Sequence, residues 1–277
     1  MKTGTRMAGA LAVPAVRVGA ALGAGWGAGH ALTLVGWHRI GDADDGLTTR
    51  PEDFRRHLDV LEEWGATVLP LDQAYGLLAA DLLPERAVAL TFDDGYASVL
   101  EQAWPELRRR GLPATLFAVS DYLDGRRRFP WDAGLRRGDD LARLASADDL
   151  VAAAAQGLDI GSHTSTHRWL PGLSLAEVRD ELHRSRDDLE DLLDRRITSF
   201  AYPMGGLTPP IRDEVVAAGY ATAITTERGR NSATQDPALL RRAFAFDRPS
   251  DVRRQLDGAF TWMRMIERRR GRQEPRW

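Results

Sequence analysis

The segment at residues 87–95, Ala-Val-Ala-Leu-Thr-Phe-Asp-Asp-Gly, is the stretch that decides the fold of this chain. Its first part, 87–92, is apolar or β-branched at every position and has no polar alternation. That pattern is typical of a strand buried on both faces, as the strands of parallel sheets are. Asp93 and Asp94 follow directly, and Gly95 provides a turn after them. The segment therefore predicts a central strand that ends in two carboxylates.

On both sides of this segment, short apolar runs alternate with stretches of helical periodicity. The predicted strands are 31–36, 67–70, 87–92, 114–119, 158–161, 198–202, 221–225 and 240–246. The predicted helices are 53–64, 71–80, 98–110, 146–156, 174–193, 208–219 and 251–269. Ser146 is a candidate N-cap, and Ser174 with Glu177 fits a capping box. Alternating strands and helices imply parallel βα units, and without a glycine-rich nucleotide loop they favour an α/β barrel of about seven or eight units.

Composition limits the classes of function. The chain has 277 residues, of which 43% are hydrophobic and 28% charged, so one large core can form. A net charge of −3 argues against a nucleic-acid partner. The absence of cysteine excludes thiolate metal sites, a cysteine nucleophile and disulfides, and it leaves the cellular compartment open. No apolar run reaches the roughly 18 residues that span a bilayer, and no motif indicates a protein partner.

Three segments are expected along the chain. Residues 1–30 are either a flexible Ala/Gly-rich extension or a weak signal-like segment, because Lys2 and Arg6 precede an interrupted apolar stretch. Residues 31–270 form a single barrel domain, and residues 271–277 are an Arg-rich tail. We favour a cytoplasmic location, with export to the cell envelope as the alternative.

A second polar cluster follows another predicted strand. His163 and His167 stand within Ile-Gly-Ser-His-Thr-Ser-Thr-His at residues 160–167. Imidazoles spaced i, i+4 meet on one side of a helical turn, where both can face one cation. With one carboxylate of the Asp93–Asp94 pair they form a set of three ligands that leaves a coordination position open, as catalytic metal sites do. The other carboxylate is then free to act as a base.

Three segments taken together resemble the polysaccharide deacetylases, the NodB-homology group or carbohydrate esterase family 4. They are Thr-Phe-Asp-Asp-Gly at 91–95, His-Thr-Ser-Thr-His at 163–167 and Phe-Ala-Tyr-Pro-Met-Gly at 200–205. The resemblance places a NodB-homology core at about 85–250 and implies a distorted (β/α)7–8 barrel. It also implies metal-dependent hydrolysis, through a metal-activated water, that removes N- or O-acetyl groups. The expected partner is therefore an acetylated sugar or glycan substrate.

The resemblance also implies roles for individual residues. Asp93 matches the catalytic base of the family. Asp94, His163 and His167 match the ligands of a divalent metal, usually Zn²⁺ and sometimes Co²⁺ or Ni²⁺. Met204 matches a position whose backbone N–H helps to bind the oxyanion.

Substrate binding is assigned to a second group of residues. Trp131 stands in a segment that resembles the aromatic wall of the family, and a ring face suits a pyranose. Tyr202 and Pro203, in the third motif, are assigned to the same task.

Two departures from the family pattern bear on the mechanism. Many members carry an arginine in the third motif that holds the catalytic base, whereas this chain has Ala201. This predicts a different set of contacts around the base. The C-terminal histidine that serves as general acid is also missing. Residues 34–39, Leu-Val-Gly-Trp-His-Arg, resemble the N-terminal strand-plus-His segment of a permuted branch, so His38 is the candidate acid.

These departures leave two alternative functions open. One is a catalytically weak carbohydrate-binding homologue that keeps the fold. The other is an amidohydrolase acting on a non-sugar amide. The remaining histidines, His30, His57 and His183, are expected on the surface or in the N-terminal extension.

Overall fold

A computed structural model describes residues 30–124, 126–135, 140–244 and 249–258. The predicted N-terminal extension, apart from its last residue, and the predicted Arg-rich tail lie outside the described residues. The greater part of the helix predicted at 251–269 lies outside them as well.

A parallel sheet, curved into a nearly closed barrel, forms the centre of the fold. The strands are, in chain order, β1 (Thr33–Trp37), β2 (Arg39–Ile40), β3 (Thr48–Thr49), β4 (Thr67–Val68), β5 (Ala87–Phe92), β6 (Thr115–Ala118), β7 (Asp159–Ser162), β8 (Ser199–Ala201), β9 (Thr222–Ile224) and β10 (Arg242–Phe244). Neighbours in the sheet follow the order β10-β1-β5-β6-β7-β8-β9, while β4 pairs with β5 and β2 pairs with β3. The pairing is parallel throughout, as the alternating sequence pattern predicts.

Leu240, two residues before β10, brings the two ends of this sheet together. The N–H of Leu240 donates to the carbonyl of Ala223 at 2.8 Å, and its own carbonyl accepts from the N–H of Thr225, also at 2.8 Å. A single parallel bridge between Ile224 and Leu240 is therefore the link at the closing seam. This confirms the prediction of a distorted α/β barrel.

Helices follow most of the strands and cover the sheet. They are α1 (Pro51–Trp64), α2 (Leu71–Ala79), α3 (Trp104–Arg110), α4 (Ala147–Ala155), α5 (Leu175–Leu193), α6 (Pro209–Ala217) and α7 (Pro249–Leu256). The capping box of Ser174 and Glu177 is present at the start of α5, as predicted. Glycines in the left-handed region end α1 and α3, where φ is 76° at Gly65 and 68° at Gly111.

One helix departs from its prediction. The helix expected at 98–110 is π-helical over Val99–Ala103 and α-helical only from Trp104. Pro105 explains the change, because it has no N–H to donate and its ring clashes with the carbonyl one turn earlier. A widened turn avoids that clash.

The core is apolar and includes the buried residues of the strands that form the barrel. Every residue of β5 is buried, which confirms that both faces of this strand are covered. The rings of Trp37, Phe54 and Phe92 pack together with centroid separations of 5.4 to 6.0 Å. His57 lies beside them with its Nδ1 accepting from the Trp37 indole N–H at 3.3 Å, so the expectation of a surface position is wrong for His57. His30 and His183 are exposed.

The helices are amphipathic rather than uniformly apolar. Even α5, at 19 residues, buries only part of its surface. Within the described ranges, no helix combines the length and the apolar character needed to cross a bilayer.

Candidate active site

The predicted site residues gather at one end of the barrel, where the strands finish. Asp93 and Asp94 follow β5, and His163 follows β7. His38 comes directly after β1, and Tyr202 directly after β8. Since parallel strands end on the same side of a barrel, residues distant in the chain meet there.

Three of the predicted residues form a compact group of metal ligands. Oδ1 of Asp94 lies 3.5 Å from Nε2 of His163 and 3.2 Å from Nε2 of His167. The ligand atoms all lie within 4.8 Å of one another, and the three side chains are buried. One divalent ion can therefore contact all three side chains.

Hydrogen bonding shows that this group suits a cation. Nδ1 of His163 lies 2.7 Å from the carbonyl oxygen of Ala201, which can only accept, so Nδ1 carries the proton. In the neutral imidazole, the lone pair of Nε2 then faces the carboxylate of Asp94, an arrangement that needs a cation or a proton between the two groups. Burial would raise the pKa of Asp94, but its contacts with His163 and His167 hold that pKa well below its usual range.

The backbone of the site is unusual for non-glycine residues. φ is positive at Asp94 (72°), Thr164 (67°), His167 (59°) and Met204 (56°). A non-glycine residue in this region costs about 1–3 kcal/mol and persists only where surrounding contacts impose it. The helical turn predicted for the two histidines is therefore wrong. They converge through a loop with left-handed residues at Thr164 and His167.

Asp93 is held by an arginine that the motifs do not contain. Arg242, the first residue of β10, donates from Nη1 to one carboxylate oxygen at 2.6 Å and from Nη2 to the other. Both side chains are almost fully buried. Burial would raise the pKa of Asp93, but the charge of Arg242, followed by that of His163, lowers it below its usual value. The carboxylate is therefore ionised at neutral pH.

Gly36 of β1 leaves the space that the Arg242 side chain occupies. A Cβ at Gly36 would lie 2.9 Å from Cδ of Arg242 and 3.1 Å from the ring of Phe244. The guanidinium lies over that ring at 4.5 Å and also contacts the Thr91 hydroxyl at 3.2 Å. Sequence reasoning missed Arg242, although a charged residue within a predicted buried strand is the signal that reveals it.

The departure at Ala201 thus has a structural counterpart. The arginine that the resemblance places in the third motif is absent, and Arg242 contacts the same carboxylate from another strand. In this chain the contact with the carboxylate of Asp93 is thus made from β10, not from the third motif.

His38 lies at the edge of this arrangement. It is half-buried, and its ring stacks on Phe244 with centroids 4.8 Å apart and planes at 16°. Burial lowers the pKa of His38, and the carboxylates of Asp94 and Asp93 offset this only in part. The phenyl ring of Phe244 therefore contacts both His38 and Arg242.

An aromatic groove opens beside the ligand group. Its volume is about 310 Å³, and its lining includes Tyr122, Trp131, His167, Trp169 and Met204. The Trp131 ring stacks on Phe129 at 4.4 Å and lies 4.9 Å from the His167 ring. Trp131 and Met204 are therefore both placed within reach of a ligand near His167.

Tyr202 and Pro203 are placed differently from what was predicted. The Tyr202 side chain is 1% exposed, and its hydroxyl donates to the carbonyl of Ala238 at 3.0 Å. Pro203 is buried as well. Neither side chain reaches the groove, so the structure does not bring these two residues into contact with a substrate. They support the turn that carries Met204.

A buried polar network anchors the aromatic wall. Arg39, which follows His38, is paired with Asp132 and donates from Nε to Thr48 at 2.8 Å. The Tyr96 hydroxyl lies 3.0 Å from Asp132 and accepts from the Trp131 indole N–H at 3.0 Å. These contacts hold the wall segment. Sequence reasoning identified that segment, residues 130–132, but not its partners Arg39 and Tyr96.

Comparison with known proteins identifies the family. The sequence profile described as polysaccharide deacetylase matches residues 81–223, about half of the chain. YxkH of Bacillus subtilis (strain 168), whose name refers to the same family, is 26% identical over 212 residues, covering 76% of this chain and 70% of the relative. The poly-beta-1,6-N-acetyl-D-glucosamine N-deacetylase of Escherichia coli (strain K12) is 24% identical over 249 residues, covering 76% of this chain but 36% of that protein.

A solved structure shows the same fold. The deacetylase PplD of Streptococcus pyogenes, in complex with acetate, superimposes with a TM-score of 0.72 at 20% identity, covering 83% of this chain and 99% of PplD. The profile match and the resemblance of the three motifs lead to the same conclusion. This chain belongs to the polysaccharide deacetylase family and is a hydrolase of carbon–nitrogen bonds other than peptide bonds.

Proposed function

We propose that this chain removes the acetyl group from an N-acetylated sugar or glycan, and that O-acetyl groups are a secondary target. Asp94, His163 and His167 would hold a divalent cation, with Zn²⁺ preferred and Co²⁺ or Ni²⁺ as substitutes. The observation that carries the proposal is a buried, ionised carboxylate beside three convergent ligands. That carboxylate is Asp93, which Arg242 of β10 contacts past the intervening strand β1.

The chemistry explains why both features are needed. An amide is a poor electrophile, and a bound divalent cation would lower the pKa of water and polarise the carbonyl. Asp93 would accept the proton of the attacking water, and for that it must be ionised. Arg242 and the nearby histidine favour the charged form of Asp93 and fix the direction of its oxygens.

Two further groups would act on the substrate. The backbone N–H of Met204, in its left-handed turn, would stabilise the negative charge on the acetyl oxygen. In other hydrolases one such donor contributes roughly 3 kcal/mol. His38 would donate a proton to the departing amine nitrogen. Burial lowers the pKa of His38, so its imidazolium is a stronger acid than that of a free histidine and is less populated at neutral pH.

The groove supports a sugar as the substrate. Trp131 offers an aromatic ring next to His167, and such a face suits a pyranose. The name of the Escherichia coli relative specifies an N-acetylated glucosamine polymer, which supports an N-acetyl sugar here as well.

Acetate release, measured by mass spectrometry, tests the proposal. The substrates are chitin oligomers, poly-N-acetylglucosamine, peptidoglycan fragments and nucleotide-linked acetylamino sugars. We expect turnover that stops with a chelator and returns with Zn²⁺ or Co²⁺. Asp93→Asn should abolish turnover while metal binding persists. Asp213→Asn, at an exposed aspartate of α6, should change neither turnover nor metal binding.

Other outcomes point to the alternatives. Metal binding without cleavage of any acetyl amide or chromogenic acetyl ester favours the weak carbohydrate-binding homologue. Cleavage confined to non-sugar amides favours the amidohydrolase. Substantial activity of Asp93→Asn would refute the role of Asp93 as base.

A further inference from the structure

Glu181 of helix α5 is a buried carboxylate that the proposed chemistry does not use. Its residue is 5% exposed. The carboxylate accepts from the N–H of Ser165 at 3.1 Å, the Ser165 hydroxyl at 2.9 Å and the N–H of Thr166 at 2.9 Å. The Thr166 hydroxyl donates to its other oxygen. All four donors belong to the two residues that stand midway between His163 and His167.

We propose that Glu181 is a positioning residue, which holds the loop between His163 and His167 in the shape that brings both imidazoles to one cation. This inference rests on the metal-binding role proposed for the two histidines. Glu181 itself would contact neither the cation nor the substrate.

The loop needs such a partner because its backbone is not helical. Thr164 and His167 both have positive φ, so the N–H groups between them have no carbonyl of a preceding turn to bond. A buried N–H without an acceptor is unfavourable, and the carboxylate of Glu181 supplies the acceptor for two of them. The next N–H along the loop, that of His167 itself, donates to the Thr164 hydroxyl at 2.9 Å.

The two histidines differ in how their rings are held. His163 is oriented by the hydrogen bond from its Nδ1 to the carbonyl of Ala201. For His167, no hydrogen-bond partner of Nδ1 is found within the described part of the chain. Its ring packs against Phe129 and Trp131, and its polar contact is made on the other side, where Nε2 lies 3.2 Å from Oδ1 of Asp94. Because no hydrogen bond holds Nδ1, the position of Nε2 depends more on the backbone at His167 than it does at His163, and Glu181 anchors the two residues just before His167.

Neutral donors around a carboxylate also fix its direction. Bonds to a charged acceptor are stronger than neutral ones, and four of them converge from two adjacent residues. Helix α5 thus acts as a rigid support for the metal-binding loop. Groups behind the direct ligands commonly change metal affinity by about 10- to 100-fold when they are removed.

The test compares two glutamates of the same helix. Glu181→Gln keeps the side-chain shape but removes the charge and turns an amide NH₂ toward the donors. Glu190→Gln is the matched control, because Glu190 also accepts a backbone N–H, that of Ile197 at 2.9 Å, away from the histidines. Chelator-treated full-length protein is titrated with Co²⁺, and the absorption of the bound ion gives the affinity. Urea unfolding without metal gives the stability of each variant.

We expect Glu181→Gln to bind Co²⁺ about 10- to 100-fold more weakly than the unaltered chain. Glu190→Gln should bind within about twofold of the unaltered chain, even where both variants lose comparable stability. Equal affinity of Glu181→Gln and the unaltered chain would overturn the positioning role. No Co²⁺ binding by the unaltered chain would refute the metal role of the histidines themselves, and the role of Glu181 with it.

A milder variant decides the question if Glu181→Gln does not fold. Thr166→Val removes one hydroxyl donor and leaves the carboxylate and the backbone in place. Its affinity for Co²⁺ should fall by about 3- to 10-fold, since one charge-assisted hydrogen bond is lost. An unchanged affinity in that variant would overturn the proposal.

Discussion

The substitution Arg242→Met tests how much the buried ion pair between Arg242 and Asp93 contributes to the stability of the fold. Methionine has a long unbranched side chain that fills most of the same space without charge. The substitution leaves Asp93 buried with no counter-charge from the barrel wall, and burial then raises the pKa of that carboxyl. Asp93→Asn, which is isosteric, removes the charge on the other side. The two changes together leave neither charge in the interior.

The magnitude follows from the burial of the pair. The Arg242 side chain is 0% exposed and that of Asp93 4% exposed, with two parallel hydrogen bonds between them. Removing one partner of such a pair costs about 3–5 kcal/mol, because a buried charge is left unpaired. We therefore expect Arg242→Met to lower the free energy of unfolding by that amount. The double variant Asp93→Asn/Arg242→Met should be more stable than Arg242→Met alone, since it contains no unpaired charge.

Urea unfolding in the presence of a chelator measures the four proteins of this cycle without interference from metal. The same cycle at Arg179 and Glu214 is the control. That pair has the same bidentate geometry, at 2.6 and 2.7 Å, but the Arg179 side chain is 57% exposed and that of Glu214 14%. Water reaches Arg179 and screens this pair, so the control cycle should show a much weaker coupling than the buried pair.

Additivity would refute this reasoning. If the losses of Arg242→Met and Asp93→Asn sum to that of the double variant within about 0.5 kcal/mol, the two residues are not energetically coupled. Acetate release gives a second check. Arg242→Lys, which cannot form the bidentate contact, should restore stability in part but not the rate, because a lysine does not fix the direction of both carboxylate oxygens.

Two further predictions concern the same end of the barrel. Gly36→Ala places a Cβ 2.9 Å from Cδ of Arg242, and urea unfolding should show that the free energy of unfolding falls by about 1–3 kcal/mol. Gly76→Ala, where the added Cβ of α2 meets open space, should instead raise the free energy of unfolding by about 0.5–1 kcal/mol. Equal effects of the two substitutions would contradict the packing around Gly36. His38→Ala should slow acetate release from an N-acetyl sugar by about 10²- to 10⁴-fold. It should barely affect 4-nitrophenyl acetate, whose leaving group needs no proton, and equal effects on both substrates would assign the acid role elsewhere.

The sequence alone predicted the features that depend on residues close together in the chain. Uniform burial of residues 87–92, the capping box at Ser174 and the alternation of strands and helices are local, and each follows from periodicity or from one turn of chain. The approach of Asp94 to His163 was also predictable, because parallel strands deliver their ends to one side of a barrel.

Tertiary structure decided the contacts that cross the barrel. Arg242 and Asp93 are 149 residues apart, and their contact depends on the register of β10 beside β1 and on the absence of a side chain at Gly36. Spacing alone suggested a helical turn for the two histidines, whereas bonds from the loop to Glu181 of α5 favour another backbone. Short-range patterns reflect burial and backbone preference, but they carry no information on which distant polar group supplies a partner. Those partners are set only when the strands and helices pack together.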